Sequence, residues 1–157
     1  MNREAFIKRV LAMEDRLYRV SFGILRDRQD QMDAIQEAVV RAWEHIDRLQ
    51  KEEYFETWLT RILINICYDM LRARKNIVPL EELAEQPAPE GVDRELHDAI
   101  QRLNGDLRIV VVLHYMEGYK VREIAEILEI PIGTVKTRIM RAKRQLRERL
   151  EEGEDWA

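Results

Sequence analysis

Between Ile132 and Arg149 stand seven basic residues, Lys136, Arg138, Arg141, Lys143, Arg144, Arg147 and Arg149, against a single acid, Glu148. Val135, Ile139, Ala142, Leu146 and Leu150 recur among them at steps of four, three, four and four, the period of an amphipathic helix. With that stripe turned inward, the opposite face carries Lys136, Thr137, Met140, Arg141, Arg144 and Arg147. Cations so arranged can neutralise phosphates, and side chains near the helix start can reach base edges in a major groove. Gly133 and Thr134 fall in the first turn, where backbone N–H groups lacking helical partners can meet a phosphate. The plain alternative is a solvated basic face. Catalysis has no comparable set of residues. Cys67 is the one cysteine, and His45, His97 and His114 are scattered, none at metal-ligand spacing with it. Neither G-x-x-x-x-G-K-[ST] nor G-x-G-x-x-G occurs. No catalytic residue, cofactor or metal is therefore expected.

The basic helix needs a partner to hold it. Ile124, Ala125 and Leu128 give the preceding segment its own apolar face, and Ala125 is small enough for two helices to cross closely. Glu129-Ile130-Pro131 breaks the pattern, and Pro131 suits a helix start because its missing N–H would be unpaired there anyway. Two helices and a tight break predict a helix-turn-helix, and that context favours DNA contact over a merely solvated face. Upstream, Leu96, Ile100 and Leu103 predict a helix over 94–103, Asn104-Gly105 a turn, and 107–117 a further helix closed by Gly118.

The first half is also helical by period. Phe6, Val10, Leu11, Leu17, Val20, Ile24 and Leu25 predict one or two helices over 3–26. A third is expected from about Gln29 to Ile46, with Met32, Ile35, Val39, Trp43 and Ile46 inward. After the polar stretch Asp47–Glu53, the positions Phe55, Trp58, Leu59, Ile62, Ile66 and Leu71 predict a long helix to Lys75, with Trp43, Trp58 and Cys67 as core residues. Residues 76–93 hold five acids, no bases and three of the four prolines, the composition of a flexible acidic linker. Fully extended, it would reach roughly 60 Å. The acidic end, Glu151–Ala157, is expected to fray.

The fold class expected is all-α: two small helical domains, 1–75 and 94–157, joined by that linker. Gly and Pro together number ten among 157 residues, too few for a turn-rich sandwich. No apolar run approaches the about eighteen residues of a membrane span, the N-terminus lacks an apolar signal core, and a lone cysteine suits a reducing cytoplasm. Net charge is −4. Non-specific DNA affinity comes from phosphate neutralisation, so a negative chain that reads DNA needs either local positive charge or a partner.

Gly118–Lys143, GYKVREIAEILEIPIGTVKTRIMRAK, resembles the C-terminal domain of bacterial sigma factors of the extracytoplasmic-function group of the sigma-70 family. That pattern runs roughly G-x-S-x-x-E-I-A-x-x-L-x-x-S-x-G-T-V-K-S-R-x-x-R-A-(R/K). The resemblance implies binding of the −35 promoter element, with Lys136, Thr137, Met140 and Arg141 at base- and phosphate-contacting positions and Gly133, Thr134 and Arg144 beside them. Lys120 stands for the usual capping Ser and Glu129 for the usual turn Gly. Asp27–Trp43, DRQDQMDAIQEAVVRAW, resembles the family segment that docks on the β′ clamp helices of core RNA polymerase. Asp33, Gln36, Glu37 and Arg41 match its docking positions, and Val39 replaces a usual Phe. Tyr54–Lys75 resembles F-x-x-W-L-x-R-I-A-x-N-x-x-x-D-x-L-R-x-x-(K/R). There the resemblance implies capture of an unstacked −10 base by Asn65 and the loop from about Leu49 to Glu53, which contains Lys51, with Arg61 and Arg72 near the promoter backbone. An amide can read a base edge because it both donates and accepts, and capture recovers the cost of unstacking.

The function so implied is an alternative sigma factor, cytoplasmic and acting in a stress or envelope response. Its partners would be core polymerase, promoter DNA and an anti-sigma factor, with no insertion into a membrane. On the residues alone two alternatives stay open: a stand-alone helix-turn-helix regulator that binds duplex DNA without polymerase, and a helical adaptor whose basic helix grips an acidic protein.

Overall fold

The computed structural model describes residues 1–74 and 93–155, the side chains of residues 74 and 152–155 excepted. The expected linker, 76–93, therefore lies outside the described residues except for Asp93. Among the described residues every regular element is helical, and they fall into two compact units, Met1–Gln86 and Pro87–Ala157.

In the first unit, α1 spans Arg3–Ala12 and starts at Asn2, whose side chain accepts a hydrogen bond from the Ala5 N–H at 2.8 Å, as an N-cap should. Phe6 is its one fully buried side chain. Buried Met13 separates it from α2, Glu14–Phe22, which contributes Leu17, Val20 and Phe22 to the core. Residues 3–26 thus form two helices. The break before α3, Arg28–Glu44, is tied down by Gln31, whose amide donates to the Leu25 carbonyl at 2.8 Å. α4 runs Phe55–Arg74 after two short 3₁₀ turns, Ile46–Arg48 and Glu52–Tyr54.

The inward face of α3 differs from the expected one. Gln31, Ala34, Ala38 and Ala42 are fully buried, whereas Met32 is 41% and Trp43 39% exposed. Ile35, Val39 and Ile46 are half-buried. Each buried residue sits one position before an expected one, so the helix is rotated by roughly 100° from the expectation. The reason is steric. Three alanines at four-residue steps let α3 and α4 approach closely, and α4 fills the space with Phe55, Leu59, Leu63 and Ile66, all buried. Ranking positions by hydrophobic size selects the wrong face where a helix uses small residues to pack. Leu63 and Ile64, absent from the expected stripe of α4, are core, while Leu71 is exposed and Trp58 half-buried.

In the second unit, α5 (Arg94–Gln101) is capped by Asp93, which accepts from the N–H groups of Glu95 and Leu96. α6 (Gly105–Val111) is capped by Asn104, which accepts from Leu107. The expected helix over 107–117 therefore starts at Gly105 and changes at Val112–Met116 into a π-helical turn. Gly118 follows with φ +76°, a left-handed conformation that glycine adopts without a Cβ clash. Ile109–Leu113 form the core against Ile100, Leu103, Ile124, Val135 and Ile139. α7 (Val121–Leu128) and α8 (Ile132–Asp155) complete the unit. α8 is helical to Asp155, and the last two residues of the stretch expected to fray, Trp156 and Ala157, lie outside the described residues.

Candidate nucleic-acid interface

α8 presents the arrangement its periodicity foretells. Val135, Ile139 and Ala142 are buried, Leu146 and Leu150 half-buried, and Gly133, Lys136, Thr137, Met140, Arg141, Arg144 and Arg147 exposed. Met140, 62% exposed, is the apolar member of a cationic face. The Thr137 hydroxyl donates to the Gly133 carbonyl at 2.9 Å. Thr134 is half-buried and its N–H already bonds the Pro131 carbonyl at 3.0 Å, so it is a weaker phosphate donor than its place in the first turn implies. Arg138 points toward Asp106, 4.0 Å away. Tyr115, half-exposed, lies under the Lys143 ammonium at 5.7 Å, an aromatic neighbour of the basic face that no spacing in the sequence marks.

The turn that aims α8 is built from substitutes. Glu129 takes φ +56°, ψ +47°, the left-handed conformation that glycine adopts without a Cβ clash. Its N–H bonds the Ala125 carbonyl, and the Ile130 N–H bonds the same carbonyl at 3.1 Å. At the other end of α7, the Lys120 N–H donates to Glu123 Oε1 at 2.9 Å. The reciprocal half of that capping box cannot form, because an ammonium accepts no hydrogen bond.

On the first unit, the loop 48–51, Tyr54 and the start of α4 line an open, shallow pocket of about 320 Å³, with Arg48, Leu49, Lys51, Tyr54, Trp58 and Arg61 among its walls. The volume lies within the roughly 300–1,000 Å³ usual for ligand sites. Lys51 sits 6.0 Å from the centre of the Tyr54 ring. Trp58, expected in the core, is half-buried and lines this pocket. It and Tyr54 supply the aromatic surface that the loop sequence alone lacks, and their spacing with Arg61 along one face of α4 was the available signal. Asn65 lies one turn beyond Arg61, exposed, with no hydrogen bond from its amide to the described residues. It is beside the pocket rather than in its wall. Arg72 is exposed and paired with Asp69 one turn back. Cys67 is fully buried, and burial pushes its thiol up to about 12.

On α3, Asp33, Gln36 and Glu37 are exposed and Arg41 is half-buried. Arg41 pairs with Glu37 at 2.6 Å and Asp33 accepts from Gln29 at 2.8 Å. The rotation of α3 puts Met32, Val40 and Trp43 on this same outer face. Acids, an amide and large apolar groups together make a surface suited to a protein rather than to DNA.

Residues 10–77 match the family model for sigma-70 region 2, and residues 93–146 that for sigma-70, region 4. The chain is 34% identical to the ECF RNA polymerase sigma factor SigW of Bacillus subtilis, over 95% of this chain and 90% of that one. The chain belongs to the sigma-70 family, in its extracytoplasmic-function group. It is also 31% identical to the RNA polymerase sigma-E factor of Streptomyces coelicolor, over 92% of this chain and 85% of that one. Among solved structures, the sigma factor RpoE of Bartonella quintana, in complex with the anti-sigma factor NepR, is similar with a TM-score of 0.81. Identity there is 26%, over 94% of this chain and 98% of that one. This sigma factor binds core RNA polymerase and directs promoter recognition and the initiation of transcription. No described helix is long and apolar enough to cross a membrane, and no cluster among the described residues could hold a metal ion.

Proposed function

We propose that the two units divide the promoter between them. Residues 1–75 engage polymerase and the −10 element, residues 94–157 read the −35 element, and residues 76–93 link them. On α8, Lys136, Thr137, Met140 and Arg141 meet base edges, while Arg144 and the first turn at Gly133 and Thr134 meet phosphates. The pocket of Lys51, Tyr54, Trp58 and Arg61 holds an unstacked −10 base, with Asn65 reading its edge and Arg72 on the backbone. Asp33, Gln36, Glu37 and Arg41 dock the β′ clamp helices, with exposed Met32, Val40 and Trp43 adding apolar area. The protein itself catalyses nothing and acts in the cytoplasm. An anti-sigma factor is its further partner, as the likeness to the Bartonella quintana complex suggests.

One observation carries this reading: an exposed cationic recognition face stands on one compact unit, and an aromatic, cationic pocket on the other. Run-off transcription with core polymerase on a random promoter library tests it, the expected result being enrichment of one pair of elements. In a mobility-shift assay the duplex should move only when core polymerase is added. A shift by the free chain would favour the stand-alone regulator. Lys136→Ala and Arg141→Ala should weaken use of the upstream element by roughly 1–3 kcal/mol per lost base contact, leaving polymerase binding intact. Asn65→Ala should impair opening without impairing recruitment.

A further inference from the structure

Arg9 is on α1, and the reading above gives its side chain no contact with promoter or polymerase. Its guanidinium nevertheless makes several long-range polar contacts. Nη1 donates to the Glu52 carbonyl at 2.7 Å. Nη2 donates to both carboxylate oxygens of Glu56, at 2.8 and 2.9 Å. The guanidinium also lies over the Phe55 ring, 4.7 Å from its centre. On α1, Phe6 meets the same ring edge-on at 5.7 Å, and Phe55 lies 6.2 Å from Trp58.

These partners are chain neighbours of the pocket's lining residues. Glu52 opens the 3₁₀ turn Glu52–Tyr54 that follows Lys51, and Tyr54, Lys51 and Trp58 are pocket wall. Within the turn the bonds are local, from the Tyr54 N–H to the Lys51 carbonyl at 3.0 Å and from the Phe55 N–H to the Glu52 carbonyl, and the Met1 ammonium lies 3.7 Å from the exposed Glu52 carboxylate. Local bonds fix the shape of a short turn, and its position against α1 is set by contacts such as those of Arg9. A planar guanidinium can take a carbonyl and a carboxylate at once in fixed directions, as an ammonium cannot, and hydrogen bonds to a charged group are the strong ones. Burial raises the Glu56 carboxyl, but hydrogen bonds from Arg9 and the backbone and the charges of Arg9 and Arg16 outweigh it and hold it below its ordinary value. The ion pair is thus intact at neutral pH.

We propose that Arg9 is a positioning residue for −10 recognition: through Glu52, Glu56 and Phe55 it sets the loop and aromatic wall that receive the unstacked base. It touches no DNA itself. The proposal rests on the pocket reading above.

The test uses the full chain assembled with core polymerase, and a single-stranded oligonucleotide of the −10 element from a promoter found by run-off selection. Arg9→Ala should weaken binding of that oligonucleotide by about tenfold, with binding of core polymerase unchanged. Arg9→Lys, which keeps charge and loses the fork, should fall in between. The charge exchange Arg9→Glu with Glu56→Arg restores the ion pair but gives the Glu52 carbonyl no donor, so it should recover melting temperature more than oligonucleotide binding. Trp58→Ala and Arg61→Ala are the controls for the pocket. If they weaken oligonucleotide binding and Arg9→Ala does not, the proposal fails and the pocket stands. If none of the three does, the pocket reading falls with it. Loss of polymerase binding and a lowered melting temperature in Arg9→Lys as well as Arg9→Ala would also overturn it, marking Arg9 as a stability residue.

Discussion

Glu56 and Cys67 share α4, and burial acts on both in the same direction, yet they end on opposite sides of their ordinary values. For Glu56, burial is outweighed by Arg9, so the carboxyl is held below 4.5. Its stabilising contribution is present above that value and is lost as pH falls through the depressed one. Glu56→Gln should therefore be less stable than wild type at neutral pH, and the gap should close as pH falls below about 4.5, measured by denaturant titrations followed by circular dichroism. For Cys67 nothing offsets burial. Its unfolded form ionises near 9.0 and its folded form near 12, so alkaline pH above 9.0 erodes stability. At neutral pH a thiol reagent should label Cys67 only at the rate of local opening, and rapidly in denaturant; fast labelling of the native protein would contradict its burial. Among the described residues Glu129 is the one non-glycine with positive φ. Glu129→Gly removes a Cβ clash of roughly 1–2 kcal/mol and returns part of it as unfolded-chain entropy. A rise of a few degrees in melting temperature is expected.

At the scale of elements, α3 and α7 teach different lessons. The period of α3 was legible, but its phase was not, because three alanines rather than the larger Met32 and Trp43 face α4. Ala38→Leu should therefore cost about 1–3 kcal/mol by overpacking, whereas Val40→Ala, on the exposed side, should leave stability nearly unchanged; a denaturant titration separates the two. In α7 both departures from the family pattern were visible in the sequence, and the structure shows their local form: a half-made cap at Lys120 and a left-handed Glu129. Lys120→Ser supplies the missing acceptor and should stabilise by about 1 kcal/mol. The π turn at Val112–Met116 had no sequence signal, since its residues are ordinary core formers.

For the whole molecule, charge decides how it works. A net charge of −4 leaves the free chain with little non-specific grip, because affinity for duplex DNA scales with the phosphates a protein neutralises. At about 0.15 M salt, where the screening length is about 8 Å, the chain alone should give no shift, while its complex with core polymerase should. The sequence by itself determined the helical class, the helix-turn-helix, the inward stripe of α8 and the family, because each is written in local period and local residue type. Only the tertiary structure decided which face of α3 is outward, that Trp58 and Tyr54 wall a pocket with Lys51, and that Arg9 braces it from another helix. Those depend on which side chains come within a few ångströms across the fold, and spacing along a chain carries no record of distance between helices.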